Sequence, residues 1–375
     1  MPTIFTRGAA SARGFGLFGA VAGGPALWSW GDNVYGKLGL GNTTNYSSPK
    51  QVGALTNWAT IGAGRYSSLA IKTDGTLWSW GNSQYGQLGL GNTTTYSSPK
   101  QIGALTTWSK AVVGNKTSLA IKTDGTLWSW GDNTYGQLGL GTSGYGFRKS
   151  SPTQVGALTA WSKVAGGGNH ILAVKTDGTL WSWGRNNNGQ LGLGNITNYS
   201  SPKQVGALTN WSQIAAGFFS LAIKTDGTLW SWGYNIYGQL GLGNQTNYSS
   251  PKQVGALTTW SKLAAGDLFS LAIKTGGTLW SWGRNTAGQL GLGNTTARSS
   301  PVQVGALTTW SKMAGGGNNT LAVKTDGTLW SWGRNAEGQL GLGNTTYFSS
   351  PKQVGALTGW SEVSGGYRFS LALKT

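Results

Sequence analysis

Short apolar runs separated by turn residues fill the chain, and no stretch keeps a helical spacing of 3.6 residues. In Ser68-Leu-Ala-Ile-Lys-Thr73 and Thr76-Leu-Trp-Ser-Trp80 the apolar positions suit a pleated sheet. Asp74-Gly75 between them is a hairpin turn signal. Two shorter strands are predicted ahead of the next hairpin, over Pro99 to Gly103 and Trp108 to Val113. No apolar stretch approaches the ~20 residues that a membrane-spanning helix needs.

The pattern repeats. Trp-Ser-Trp-Gly begins at Trp28, Trp78, Trp128, Trp181, Trp230, Trp280 and Trp330, giving spacings of 50, 50, 53, 49, 50 and 50 residues. Gly-Ala-Leu-Thr-x-Trp ends at Trp58, Trp108, Trp161, Trp211, Trp260, Trp310 and Trp360. A period near 50 belongs to propellers and solenoids. Four short antiparallel strands per unit, seven times over, predict an all-β, seven-bladed β-propeller across residues 26–375. An open stack would need atypical polar caps, and the end units have none. The last unit stops at Ser370–Thr375, half-way through a hairpin, and Ala26–Trp30 supplies the missing half. Pairing of these terminal strands would complete blade seven and leave no open sheet edge. Within a unit, chain order reads as an outer strand (Pro99 region), an inner strand (Trp108 region) and the two hairpin strands.

Composition then becomes simple to interpret. Three tryptophans per unit account for all 21, and most of the 64 glycines fall in turns of the same units. The lack of cysteine excludes disulfides, iron–sulfur clusters and thiol nucleophiles. Twenty-eight Lys and Arg against ten Asp and Glu give +18, which favours acidic partners. The basic residues form no runs, so nucleic acid is not favoured.

The unit Ser68-Leu-Ala-Ile-Lys-Thr-Asp-Gly-Thr-Leu-Trp-Ser-Trp-Gly81, continuing through Tyr85-Gly-Gln-Leu-Gly-Leu-Gly91, resembles the regulator of chromosome condensation repeat. The resemblance covers residues 24 to 375 and implies a seven-bladed propeller closed by a shared blade. Two activities of that family do not carry over. Nucleotide exchange on a small GTPase needs an inserted wedge, for which units of 49 to 53 residues leave no room. The plant ultraviolet-B photoreceptor branch uses a Gly-Trp-Arg-His-Thr motif that is absent.

Antiparallel order places the Asp-Gly turns and the Gly-Ala-Leu-Thr-x-Trp connections on one rim, the bottom. The loops after the inner strand and after Trp-Ser-Trp-Gly lie on the top. Bottom connections are almost uniform, whereas top loops differ nearly every time and contain both length changes, within Thr142 to Ser151 and beside Phe218. Divergence confined to one face of a rigid repeat is how such scaffolds present a binding surface. The candidate partner-binding residues are Tyr35, Arg65, Tyr66, Tyr85, Lys116, Tyr135, His170, Phe218, Phe219, Tyr234, Tyr237, Phe269, Tyr367, Arg368 and Phe369. Tyrosine, phenylalanine and arginine give contact area at low entropy cost.

Lysines beside the hairpin turns, from Lys72 to Lys374, and after the inner tryptophan (Lys110, Lys163, Lys262 and Lys312) predict a basic bottom rim. Catalytic chemistry has little support. His170 is the one histidine and reads as a solvated loop residue, five of the ten acids are hairpin-turn aspartates, and no cluster suggests a metal or cofactor site.

Residues 1–25 lie outside the repeat. Arg7 and Arg13 precede an apolar stretch ending in Ala20-Val21-Ala22, the outline of a signal peptide, but glycines interrupt its core. This Arg/Gly/Ala leader is similar to those of some bacteriophage tail and virion proteins. That likeness implies an assembly arm, through Phe5, Arg7, Arg13, Phe15 and Phe18, held by another protein of a larger particle. The resulting expectation is a non-enzymatic scaffold on a phage virion, its top face towards a receptor or glycan. The alternatives are a cytosolic or chromatin-linked regulator binding nucleic acid or a GTPase, and a secreted adhesin.

Overall fold

The computed structural model describes residues 24–375, and the candidate arm residues Phe5, Arg7, Arg13, Phe15 and Phe18 lie outside that range. Seven four-stranded antiparallel sheets form the propeller. One blade shows the plan: β3 (Trp58–Ala63), β4 (Ser67–Lys72), β5 (Leu77–Gly81) and β6 (Tyr96–Gln101) pair in that order. Strand β3 and its six counterparts line the central channel, and β6 is the outer edge. The outer strand therefore belongs to the hairpin that precedes it, not to the inner strand that follows it as the chain-order reading had it. Pro99 sits within this outer strand, where a missing N–H costs no ladder bond on the open side.

Each tryptophan of a unit has its own task. Trp80 is fully buried and donates Nε1–H to the carbonyl of residue 37 in the preceding unit at 2.8 Å. Ser68 donates to the same carbonyl at 2.8 Å, so two side chains of one blade fasten to one backbone oxygen of its neighbour. Trp78 donates to Thr76 Oγ1 at 2.9 Å, and Thr76 in turn donates to Asp74 Oδ1 at 2.6 Å, which locks the hairpin turn. The Thr76 hydroxyl holds the Asp74 carboxyl below the usual range. Trp58 packs edge-on against both, with ring centroids 6.1 and 6.3 Å away. Such edge contacts add about 0.5–1.5 kcal/mol beyond area burial. At the turn, Gly75 has φ +77° and lies against the next blade's connection; a Cβ there would meet the Thr106 carbonyl at 2.1 Å.

The lysines beside the turns are part of this packing. Lys72 Nζ stands 3.9 Å from the centroid of the Trp78 ring, and Lys122, Lys175, Lys224, Lys274 and Lys324 repeat the stack. The second lysine set lies on the inner strands: Lys110, Lys163 and Lys262 donate to carbonyls of the next inner strand, and Lys312 pairs with Glu362 at 2.6 Å.

Closure uses two strands from each end. β1 (Ala26–Gly31) pairs along its whole length with Phe369–Lys374, and β2 (Tyr46–Gln51) adds the outer edge. The N-terminal segment thus contributes half of the seventh blade rather than a single strand.

Candidate functional site

The top face is built from two loops per unit, one leaving the inner strand and one following Trp-Ser-Trp-Gly. Its rigidity comes from below. In the second loop Asn33 receives the Leu38 N–H at 2.9 Å and donates to Asn42 O at 3.0 Å, and Asn133, Asn186, Asn235, Asn285 and Asn335 repeat this brace. A variable side chain mounted on a braced loop loses little further freedom on binding a partner.

Of the fifteen residues expected on this face, Tyr35 is exposed and ten are half-buried with part of the side chain reaching solvent: Arg65, Tyr66, Tyr85, Lys116, Tyr135, Phe218, Tyr234, Tyr237, Tyr367 and Arg368. The other four are not on the surface. His170, Phe219, Phe269 and Phe369 each open the second strand of a blade and are fully buried. Each pairs with the glycine of Trp-Ser-Trp-Gly, as Phe369 does with Gly31. Gly31 has φ +102°, and a Cβ there would lie 2.8 Å from the Phe369 Cα. The first strand position thus turns inward beneath the loop, so its variability fills the core rather than the surface.

His170 is corrected twice over, being neither solvated nor in a loop. Its Nε2 lies 2.8 Å from Ser220 Oγ, while Ser220 donates its own proton to Gln190 O at 2.7 Å. A serine beside a histidine is the outline of an activated nucleophile, but this serine's proton is committed to a carbonyl and both groups are closed to solvent. Burial pushes the imidazole down from 6.5 to about 3. The folded value lies below the unfolded one, so this contribution to stability is complete above pH 6.5 and is lost as pH falls towards 3, by about 1.4 kcal/mol per pH unit. His170→Asn, copying Asn319 at the same strand position, should flatten the acid limb of a denaturation-versus-pH curve by that slope. An unchanged slope would show that His170 does not titrate with folding.

The surface that remains is a mesh of cations on aromatic rings. Arg65 stacks on Tyr367 at 4.0 Å and Lys116 on Tyr85 at 4.2 Å. Arg148 lies 4.5 Å from the same Tyr85, Arg185 lies 5.2 Å from Tyr135, and Arg284 lies 5.4 Å from Tyr237. The densest patch spans the closing blade and its neighbours. There Tyr35 meets Tyr66 edge-on at 6.0 Å, and Glu337 is held by Arg334 at 2.8 Å and Arg368 at 3.4 Å. These arginines and Gln339 keep the Glu337 carboxyl below its usual range, against the opposing effect of burial.

Arg148, Arg185, Arg284 and Arg334 were missed by the sequence reading. The signal was present: all seven arginines between residues 24 and 375 fall in the top loops or at the top end of an outer strand, while most lysines lie below. Arginine has a planar, delocalised fork that stacks on rings and grips carboxylates bidentately, which an ammonium cannot do. Asp267, also passed over, lines the channel mouth with Arg65, Asn115, Phe218 and Tyr367 around a cavity of about 370 Å³. Desolvation pushes its carboxyl up to about 6, despite the opposing charges of Arg65 and Arg284.

Among the described residues, no group of three or more His, Asp or Glu side chains could hold a metal ion. No helix among the described residues is long and apolar enough to cross a membrane.

Solved structures with this architecture include Prp20p from Saccharomyces cerevisiae, at 21% identity and TM-score 0.82 over 94% of this chain and 92% of that one. That structure was described together with the binding properties of Prp20p to Gsp1p and histones. Human WBSCR16 is 22% identical with TM-score 0.84, over 94% of this chain and 99% of that one. At these identities the likeness shows the fold. The profile of the regulator of chromosome condensation (RCC1) repeat matches residues 26–71, 74–121, 124–174, 177–223, 226–273, 276–323 and 326–373, so nearly the whole propeller is covered. With seven matching units in a ring of seven blades, the chain belongs to the RCC1 repeat family.

Proposed function

We propose that this propeller is a non-enzymatic interaction module whose top face binds a protein partner through an acidic patch. The observation that carries this reading is the segregation of arginine onto one face, stacked on tyrosine. Tyrosine and arginine dominate the energetics of protein interfaces, and stacked guanidinium groups still offer free N–H donors to carboxylates. The binding of Gsp1p and histones by Prp20p supports a regulator-type role, cytosolic or chromatin-linked, over a place on a virion. The virion reading draws on the leader, which lies outside the described residues, and on the divergence of the top loops, which serves either role.

The test is affinity capture by the whole chain at physiological salt, followed by titration of the captured protein against wild type and an Arg65→Ala, Tyr367→Ala, Arg368→Ala variant. The variant should keep its unfolding midpoint and bind at least about tenfold more weakly, since hot-spot truncations cost roughly 2 kcal/mol or more each. Equal affinity overturns the proposal. So does capture of nucleic acid alone, released by nuclease and falling steeply with salt.

A further inference from the structure

The seven outer strands provide an internal comparison. In five of them an aromatic residue is capped by a lysine four positions on: Tyr46 by Lys50, Tyr96 by Lys100, Tyr199 by Lys203, Tyr248 by Lys252 and Phe348 by Lys352, all with Nζ 5.4 to 5.6 Å from the ring centroid. Two strands depart from this pattern. One carries Lys149 and Thr153 beside the longest top loop. The other, Arg298–Gln303, carries Arg298 and Val302.

Replacing the lysine with the short Val302 leaves a recess of about 540 Å³ between this strand and the next blade, lined by Leu292, Arg298, Val302, Leu307, Trp310 and Trp330 among others. The two indoles in its wall stand nearly perpendicular, at 81° and 6.1 Å between centroids. A volume of this size, mostly apolar with few polar groups, is that of a small-molecule site.

Its polar groups are unequal. Asn294 accepts the Thr296 N–H at 3.0 Å, and Gln303 donates to Gly305 O at 3.0 Å. Arg298 Nε, by contrast, is buried without an acceptor among the described residues, and no carboxylate lines the recess. A buried guanidinium N–H without an acceptor is costly, and a carboxylate is the acceptor that fits its fork. We propose that this recess binds a small carboxylate with a flat apolar body, the carboxylate on Arg298 and the body against Trp310 and Trp330. The site is on the outer edge of the propeller, running down from the top end of the strand at Arg298, and includes none of the fifteen candidate residues of the top face.

Calorimetric titration of the whole chain with indole-3-acetate and 2-naphthoate, each beside its neutral amide, tests this. Wild type should bind at least one acid saturably with Kd at or below the order of 1 mM, and its amide about tenfold more weakly. Arg298→Tyr with Val302→Lys installs the pair that four other outer strands already carry, so the variant should fold while binding is lost. Arg298→Gln keeps the recess open and should bind acid and amide alike. Absence of binding by wild type, equal binding of acid and amide, or unchanged binding by the capped variant would each overturn the proposal.

Discussion

Trp30→Ala should destabilise the propeller by about 3–5 kcal/mol, the range for removing a large aromatic side chain from a core. The indole is fully buried and packs edge-on to Trp360 at 6.3 Å, within a cluster that includes Leu321, Leu329, Val354 and Val363. Its Nε1–H reaches Gln339 O at 2.9 Å, tying the N-terminal strand to the loop of the preceding unit. Trp30→Phe separates the two effects. It fills most of the volume and gives up the hydrogen bond, but Gln339 O keeps Ser370 Oγ at 2.8 Å, so the cost should be nearer 1 kcal/mol. Urea midpoints of the three proteins decide the matter. An alanine variant no weaker than the phenylalanine variant would show that the ring's volume is not what closes the blade.

Asp32→Ala should cost a similar 3–5 kcal/mol at neutral pH, because it strands a buried ammonium. Lys37 is about 2% exposed, pairs with Asp32 at 2.6 Å and lies 5.3 Å from the Phe369 ring. Burial holds its ammonium below the usual lysine range in spite of Asp32. The other six units place glutamine at this position, and in the second unit Gln87 donates to Asn82 at 3.1 Å. Installing that neutral pair with Asp32→Asn and Lys37→Gln should therefore be close to neutral, although the single aspartate change is severe. The depressed lysine has an unfolded pKa above its folded one, so the penalty in Asp32→Ala should shrink as pH rises towards 10.5. If single and double variants lose the same stability at pH 7, the ion pair is not what offsets the burial of Lys37.

The second prediction uses what the repeat offers, seven copies of one environment in which a substitution can be compared with nature's own variant, whereas the tryptophan of the first is the same in all seven units. The same comparison explains what could be read in advance. Strand content, hairpin turns, the bottom rim and the closure of Ala26–Gly31 on Phe369–Lys374 follow from patterns a few residues long, repeated often enough to be unmistakable. The hairpin carries its own turn chemistry, here Asp74, Gly75 and Thr76, bonded within three residues of sequence.

Other features depended on which way a side chain turned after a loop. Whether Phe218 or Phe219 faces solvent depends on where the second strand begins, and a one-residue change reverses inside and outside. Contacts between blades lie 30 to 50 residues apart in sequence, as for Ser68 with residue 37, Lys116 with Tyr85 and His170 with Ser220. No local period marks them.

The amino-acid sequence alone determined a closed ring of seven similar blades, because each blade is stabilised by short-range chemistry written seven times. Only the tertiary structure decided which variable residues form a surface, gathered the arginines over tyrosines from separate units, and left Arg298 Nε without an acceptor among the described residues, in a recess walled by two indoles. Those properties arise where neighbouring blades meet, and the distances that govern them exist only once the ring is closed.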